Sequence, residues 1–337
     1  MTDGEPEDAD KVRFATVIPS QGPFAEASAV RDLLQGAEDL GYDGGWFGDR
    51  VAVPHYASHL TPPNWLDALA CCMVGAGATA RLRLGTDVLV APLRQPVSLA
   101  RQLATADVLS GGRITAGVGV GYLRGEFAAV HAPPYEERGL VTDEFLEVLA
   151  LALSADPAVE QSFEGSWFGF DGLHFGPRPV QRPFPLWVGG NIRSAQRRAA
   201  LLGNGWHPLF PSPEAYRAGR ELISALRPSV DDFTFSYSCP EVHVRMGATA
   251  EPPVFHVYGG STLPEDFSYA PPPPVDGEGR SRFIGTPEEV GGDIATYVDA
   301  GVRHFLLRFW TTQADIGVPG LLRRMQDFAE EVAPAFG

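Results

Sequence analysis

The chain has 337 residues, 44% of them hydrophobic and 20% charged, which is enough to bury one sizeable core. Its formal net charge of -16, with a pI of about 4.9, argues against general binding to nucleic acid or to an anionic membrane surface. Lys11 is the only lysine and lies in a polar N-terminus. A buried Schiff-base lysine and the lysine of a P-loop are therefore excluded.

The three cysteines, Cys71, Cys72 and Cys239, have no C-x-x-C spacing, so neither a zinc site nor a disulfide framework is predicted. Cys71 and Cys72 lie in an apolar, helix-like run and are expected in the core. The acidic N-terminus lacks the apolar region of a signal peptide, and no apolar run reaches transmembrane length. These features predict a cytoplasmic protein without a metal site.

Short apolar strands alternate with amphipathic helices along the chain. The first half is predicted to contain strand Val12–Pro19, helix Ser28–Leu40, strand Gly45–Asp49, helix Trp65–Ala78, strand Arg83–Val90, helix Pro96–Leu109, strand Ile114–Val118 and helix Thr142–Leu153. The second half is predicted to contain strand Leu186–Val188, a helix from about Ile192 to Gly203, strand Gly205–Leu209, helix Pro213–Leu226, strand Phe233–Met246, helix Pro287–Ala300, strand Val302–Phe309 and helix Gly320–Val332. This alternation predicts an α/β fold, a (β/α)8 TIM barrel, with an open doubly wound sheet as the alternative.

Residues 12–337 are predicted to form a single domain because no linker rich in proline and glycine divides them, whereas residues 1–11 are predicted to be a disordered acidic N-terminus. Two stretches interrupt the rhythm and are predicted to be insertions, at about 163–183 and 247–282. Both contain aromatic residues and are candidate lids that keep a site dry. A loose surface insertion is the alternative for the second stretch, which carries a run of prolines.

In a barrel of this kind the functional site lies at the carboxyl ends of the strands. The candidate site residues are therefore those that follow the predicted strands: Ser20, Gln21, Asp49, Arg50, Asp87 or the residues just past it, Gly119–Tyr122, Gly189–Arg193, His207, His243 and Arg308–Trp310.

The segment Pro185–Trp206, PLWVGGNIRSAQRRAALLGNGW, has the pattern of an anion cradle. A short strand leads into Gly189 and Gly190, and a helix with several arginines follows. Free amide donors and the positive end of a helix dipole at such a turn attract phosphate. The alternative is that the two glycines only permit a tight turn between strand and helix.

Three stretches together resemble the luciferase-like monooxygenase superfamily, closest to its branch that uses coenzyme F420, a deazaflavin. They are Gly85–Phe127, Pro185–Trp206 and Gly285–Phe309, and the sequence WFGDR at Trp46–Arg50 adds to the match. The resemblance implies a TIM barrel with inserted segments that binds a flavin or deazaflavin at its mouth, often as a homodimer.

The resemblance also implies roles for individual residues. The cofactor phosphate is expected at Gly189, Gly190 and Asn191, with Arg193 and Ser194 close by. Relatives that use F420 have a bulge with a non-proline cis peptide in the third strand, behind the ring, and the matching bond here is Asp87–Val88. The alternative is a regular strand in which Asp87 points into the barrel and bonds a neighbour.

Further contacts to the cofactor are expected from Gly119, Gly121 and Tyr122, which follow the fourth strand. Close packing is the alternative reason for the two glycines, and Tyr122 has the alternative role of a packed rim aromatic. Arg197 and Arg198 are either phosphate ligands or part of a solvated helix face.

Asp49 matches an acidic residue that ends the second strand in the family and is a candidate catalytic residue. Several F420 enzymes follow it with a histidine that acts on the substrate, but Arg50 stands at that place here. His55 and His59 are the nearby candidates for acid–base chemistry, with solvated loop histidines as the alternative.

The predicted function is hydride transfer between F420 and a small, apolar organic substrate. An FMN-dependent monooxygenase that uses reduced flavin and O2 is the alternative, because phosphate is common to both cofactors. A barrel that binds the cofactor without turnover and a phosphosugar enzyme without flavin are lesser alternatives. The strongly acidic chain argues mildly against F420, whose oligoglutamate tail is anionic. A homodimer and a separate flavin or F420 reductase are the partners considered, with neither nucleic acid nor membrane among them.

Overall fold

The computed structural model describes residues 11–58, 61–246, 275–310 and 316–337. In the first half of the chain the elements are β1 (Arg13–Val17), α1 (Ala27–Asp39), β2 (Gly44–Phe47), α2 (Ala68–Ala78), β3 (Arg83–Thr86), β4 (Leu89–Val90), α3 (Pro96–Ser110), β5 (Ile114–Gly119), α4 (Arg124–Ala129), α5 (Arg138–Ser154), β6 (Gln161–Glu164) and β7 (Gly169–Leu173). In the second half they are β8 (Leu186–Gly189), α6 (Arg193–Leu202), β9 (Gly205–His207), α7 (Pro213–Leu226), β10 (Thr234–Glu241), β11 (His243–Val244), β12 (Ile284–Gly285), α8 (Pro287–Asp299), β13 (His304–Arg308) and α9 (Gly317–Glu331).

The principal sheet is parallel and closes on itself. Its order is β3-β2-β1-β13-β10-β9-β8-β5-β4, and a further pairing of β3 with β5 completes the ring. β3 and β4 together form the third of its eight barrel strands, since both pair with β5, on either side of the Asp87–Val88 bond. The predicted (β/α)8 barrel is confirmed, and the open sheet considered as the alternative is excluded by the closing pairs.

Two element boundaries differ from the prediction for identifiable reasons. Helix α2 starts at Ala68 and not at Trp65, because the amide of Leu66 donates to Ser20 O and the Asp67 side chain caps the helix. The predicted strand Phe233–Met246 is divided, because β11 leaves the barrel to pair with β12. The short helix α4 was not predicted.

A β-hairpin made of β6 and β7 lies in the stretch where the first insertion was predicted. Its turn is held by the carboxylate of Glu144 on α5, which accepts hydrogen bonds from the backbone amides of Ser166, Trp167 and Phe168 at 2.7, 2.8 and 2.6 Å. Charge-assisted bonds of this kind fix the hairpin on the barrel wall. Most of the second predicted insertion lies outside the described residues.

Two tryptophans fill the centre of the barrel. Trp46 stacks on Trp187 with ring centroids 4.7 Å apart, and both are buried. A Cβ atom on Gly85 would lie 2.5 Å from the Trp46 ring, and one on Gly205 would lie 2.3 Å from Trp187. The glycines are therefore required by the close packing of the indoles. The cysteines are buried free thiols, as predicted for Cys71 and Cys72.

Candidate functional site

The third barrel strand is interrupted by a non-proline cis peptide bond between Asp87 and Val88. This is the bond at which the family resemblance predicts one. The interruption separates β3 from β4 and brings the side chain of Asp87 into the barrel, where it bonds neighbours as the alternative interpretation expected. The cis peptide bond and the inward-directed side chain, given as alternatives for Asp87, are therefore both present.

Asp87 is the centre of a buried charged cluster. Its Oδ1 lies 2.8 Å from His207 Nε2, and its Oδ2 accepts a hydrogen bond from Arg308 at 3.0 Å. Ser238 Oγ lies 3.4 Å from the same Oδ2. On its other side, His207 Nδ1 lies 2.7 Å from Ser236 Oγ. Side chains from four of the eight barrel strands therefore meet at the Asp87 carboxylate.

Sequence reasoning found part of this cluster. His207 and Arg308 were among the candidate site residues that follow predicted strands, but neither was given a catalytic or cofactor-binding role. Ser236 and Ser238 gave no signal, because a serine in an alternating strand is compatible with any barrel position. Only their common approach to Asp87 and His207 distinguishes them.

The glycines predicted to contact the cofactor pack around the interrupted strand. A Cβ atom on Gly119 would lie 2.6 Å from Val88, and one on Gly189 would lie 3.2 Å from the same side chain. Gly121 has a φ of +75°, and a Cβ there would lie 2.5 Å from Val90. Close packing, the alternative reason for Gly119 and Gly121, is thus observed; their contact with a cofactor stays a prediction.

The turn after β8 has the geometry of an anion cradle. Gly190 has a φ of +121°, and a Cβ there would lie 2.8 Å from Ala195. Helix α6 begins at Arg193 without a side-chain cap from Ile192. Arg193 and Ser194 are exposed in its first turn. Backbone donors, a helix dipole and a cationic side chain are therefore available to an anion.

Asn191 and the later arginines of α6 have different surroundings. Both polar groups of the Asn191 side chain bond Leu209, with Nδ2 donating to its carbonyl at 2.6 Å and Oδ1 accepting from its amide at 2.9 Å. The backbone of Asn191 and the second hydrogen of its Nδ2 are left for the predicted cofactor contact. Arg198 is buried in an ion pair with Asp143, whereas Arg197 is exposed.

Asp49, predicted to be catalytic, is enclosed by Arg94. The guanidinium reaches its Oδ1 at 2.8 Å and its Oδ2 at 2.9 Å, and the Asp49 side chain is only 1% exposed. Arg94 also contacts Asp67 at 3.2 Å. The bidentate pair occupies the carboxylate, so the geometry favours a structural role for Asp49 in this state.

Arg50 stands where several relatives have a histidine. Its guanidinium lies over the Tyr122 ring at 4.5 Å and contacts Glu126 of α4 at 3.2 Å. Burial raises the pKa of Glu126, and the adjacent charge of Arg50 opposes that rise. Tyr122 is thus part of a cation–π stack at the mouth, which fits its predicted place near the cofactor.

Of the two predicted catalytic histidines, the structure describes His55, and none of its described hydrogen bonds reaches the charged cluster. His55 is exposed in a short 3-10 turn, where Ser58 donates to its carbonyl oxygen. The next residue, Tyr56, accepts a hydrogen bond from the amide of Gly125 at 3.1 Å, which joins this turn to α4. His59 lies outside the described residues.

Polar atoms at the mouth fit an anionic ligand that carries carbonyl groups. Ser20 Oγ and Arg50 Nε, which follow β1 and β2, are buried donors without a hydrogen-bond partner in the part of the chain that the structure describes. Buried donors are normally paired, so these two are available to a ligand at the mouth of the barrel. The residues present therefore fit a ring cofactor with a phosphate.

The structure is thus a (β/α)8 barrel with a glycine turn and an uncapped helix start after β8 and an interrupted third strand. The family model described as luciferase-like monooxygenase matches residues 12–251. The chain belongs to the luciferase-like monooxygenase family.

Known proteins with similar sequence or structure include enzymes of two cofactor types. The chain is 30% identical over 175 residues to an FMNH(2)-dependent dimethylsulfone monooxygenase of Pseudomonas fluorescens (strain Pf0-1), a match that covers 51% of this chain and 44% of that protein. An F420-dependent secondary alcohol dehydrogenase, solved with an F420-acetone adduct, has a TM-score of 0.75 at 18% identity and covers 97% and 99% of the two chains. A monooxygenase from Streptomyces bottropensis has a TM-score of 0.72 at 18% identity, covering 96% and 100%. At these identities the structural matches show the fold alone.

Among the described residues, none of the helices is both long and apolar enough to cross a membrane.

Proposed function

We propose that this protein is an F420-dependent oxidoreductase that transfers hydride to or from a small, apolar organic substrate. The observation that carries the proposal is the convergence of the three stretches that resemble the F420 branch. Gly85–Phe127 contributes Asp87, Gly285–Phe309 contributes Arg308, and the two side chains bond each other. Pro185–Trp206 contributes Gly189, against the side chain of Val88.

The chain's own residues supply binding, orientation and electrostatics, while a bound deazaflavin supplies the hydride chemistry. The first turn of α6, with Arg193 and Ser194, would hold the phosphate. Val88, set among glycines, would offer a flat apolar wall to the ring. The Arg50–Tyr122 stack would close the mouth at the substrate side.

An FMN-dependent monooxygenase is the second candidate, and a specific observation favours it. The 30% identity to the FMNH(2)-dependent dimethylsulfone monooxygenase is higher than the identity to either of the two solved structures described above. The cradle accommodates one phosphate of either cofactor. A ring that reacts with O2 would use the same wall and the same cradle.

Titration of the purified protein with FMN and, separately, with F420 tests the proposal, with binding followed by fluorescence quenching. The expected result is saturable quenching of F420. Tight FMN binding without F420 binding would overturn the first candidate in favour of the second, and binding of neither would overturn both. Turnover is then tested with a panel of alcohols and activated alkenes under anaerobic conditions.

Arg193 and Arg197 form a matched pair for the cradle. Both are exposed arginines on α6, but only Arg193 lies in its first turn. Arg193→Ala is expected to weaken cofactor binding about tenfold, because one charge-assisted bond to phosphate is lost. Arg197→Ala is expected to leave the affinity unchanged. Equal effects of the two changes would contradict the assignment of the cradle.

A homodimer and a separate reductase that supplies the reduced cofactor are proposed partners. Light scattering of the purified protein tests the first, and the requirement for added reductase in turnover assays tests the second. A measured mass in solution equal to that of one subunit would refute the homodimer. If the reductase only supplies reduced cofactor, chemically reduced cofactor is expected to support full turnover without added reductase.

A further inference from the structure

The cluster around Asp87 is a charged group inside the barrel, next to the segment that carries Val88. The side chains of His207 and Asp87 are 1% and 7% exposed, and that of Arg308 is 17% exposed. Arg308 also donates to the carbonyl of Cys239 at 2.8 Å. Charges so far from water are costly unless they are paired, and both basic side chains of this cluster contact the Asp87 carboxylate.

Hydrogen-bond directions indicate the protonation of His207. Ser236 Oγ has a single proton, which it donates to the carbonyl of Trp206 at 2.9 Å. Its contact with His207 Nδ1 at 2.7 Å then requires the imidazole nitrogen to be the donor. On the other side, Nε2 faces Asp87 Oδ1 at 2.8 Å, and a carboxylate oxygen only accepts. Both ring nitrogens are thus donors, which is the imidazolium form.

Asp87 is the anion that His207 and Arg308 both contact. With both ring nitrogens of His207 protonated, the cluster has one unit of positive charge. Burial raises the pKa of the Cys239 thiol, which stays neutral. The indoles of Trp46 on β2 and Trp187 on β8 also pack near the His207 ring.

More distant charged groups are already paired with one another. Glu241, which lies beside Arg308 in the sheet register, is paired with Arg324 at 2.8 Å. Asp43 and His304 form their own pair at 3.0 Å, and the His304 ring packs against the indoles of Trp46 and Trp187. Each of these carboxylates already has a basic partner, while Glu241 Oε2 accepts no hydrogen bond from the described residues.

We infer that His207, Asp87 and Arg308 form a positively charged support that stabilises the negative charge a bound flavin-type ring gains when it accepts a hydride. The inference rests on the proposed function and assigns His207 as a positioning residue, because it acts through Asp87. A bound ring that took a hydride from a substrate C–H bond would gain both electrons of that bond and become more negative by one unit. A buried cation near the ring favours that reduced form.

The test combines a measurement on the apoprotein with one on the loaded protein. Nitrogen-15 NMR of histidine-labelled apoprotein at neutral pH is expected to show one imidazolium that is absent from the spectrum of His207→Gln. The dissociation constants of oxidised and reduced cofactor are then measured for whichever of F420 or FMN the wild type binds. The preference for the reduced form is the ratio of the oxidised-form to the reduced-form dissociation constant. His207→Gln is expected to lower this ratio about tenfold, the factor that corresponds to one pKa unit.

Arg308 supplies a matched pair if the histidine variant does not fold. Arg308→Gln removes a charge from the cluster and is expected to lower the preference for reduced cofactor as His207→Gln does. Arg308→Lys keeps the charge and is expected to retain most of that preference. Near-ultraviolet circular dichroism of each variant confirms that the barrel is intact.

The outcomes separate the two proposals. A neutral His207 in the apoprotein, or an unchanged preference in both charge-removing variants, overturns the charged support while the proposed function stands. Binding of neither cofactor by the wild type overturns the proposed function and this role of the cluster together.

Discussion

Replacing Arg94 by methionine would break a buried ion pair while keeping most of the apolar volume of the side chain. The Asp49 side chain is 1% exposed, and its carboxylate accepts two hydrogen bonds from Arg94 at 2.8 and 2.9 Å and a third from Arg94 Nε at 3.3 Å. The contact that remains is the amide of Val90 at 3.4 Å. Removal of one partner of a buried pair costs about 3–5 kcal/mol, and we expect about 3 because Arg94 is 16% exposed.

Urea denaturation of wild type and Arg94→Met, with linear extrapolation to water, measures that loss in the free energy of unfolding. Asp67→Asn is the matched control. It removes the second, half-exposed carboxylate of Arg94 yet keeps the side-chain cap of α2, so its cost should stay below about 1 kcal/mol. The double variant with Asp49→Asn should recover about half of the loss. A cost below about 1 kcal/mol for Arg94→Met would refute the buried-pair reasoning and return Asp49 to the candidates for acid–base chemistry.

Three further predictions concern the hairpin, a buried histidine and the barrel centre. Glu144→Gln removes the charge that holds the hairpin turn, so hydrogen exchange of the amides of residues 166–168 should accelerate about tenfold. Burial, with the charges of Arg324 and Arg245, lowers the pKa of His243 from 6.5 to about 4. The unfolded chain therefore binds a proton that the folded one does not, and stability falls as the pH drops from 6.5 towards 4. Since the ring is partly exposed, His243→Gln should remove about 0.7 kcal/mol per pH unit of this slope, half the limiting value. Gly205→Ala places a Cβ atom 2.3 Å from Trp187 and should cost about 1–3 kcal/mol in thermal denaturation.

Each of these predictions has an outcome that contradicts it. Unchanged exchange at the hairpin turn would show that neutral hydrogen bonds suffice there. A pH slope equal to that of the wild type in His243→Gln would assign the acid sensitivity to other groups. For the barrel centre, Gly77→Ala is the control, because no atom lies within 4 Å of a Cβ at that helical glycine. Equal effects at Gly205 and Gly77 would disprove the packing argument.

The succession of strands and helices could be predicted from the sequence because its signals are local. An apolar period and a following glycine or proline lie within one element, and Pro213–Leu226 was predicted with the bounds that the structure gives. Two of the boundary differences, at α2 and at the strand predicted over Phe233–Met246, arose where a long-range contact decided where the element begins or ends. The amide of Leu66 bonds Ser20, on a different part of the chain, and so keeps Trp65 out of α2.

The candidate site was only partly predictable for the same reason. Its cradle is a local pattern at Gly189–Ser194, and the bond Asp87–Val88 was located by the family resemblance. By contrast, Asp49 was predicted to be catalytic because it matches an acidic residue that ends the second strand in the family. Nothing in its neighbourhood indicated Arg94, 45 residues further on.

By itself, the sequence determined the alternation of barrel strands and helices, the barrel class and the glycine turn after the fifth strand, because each depends on neighbouring residues. Only the tertiary structure decided which ionisable side chains contact one another. Asp87 meets His207 and Arg308 across separations of 120 and 221 residues, and closure of the ring of strands brings them together. Such a contact depends on the register of every strand between the partners, so it exists only once the whole barrel has formed.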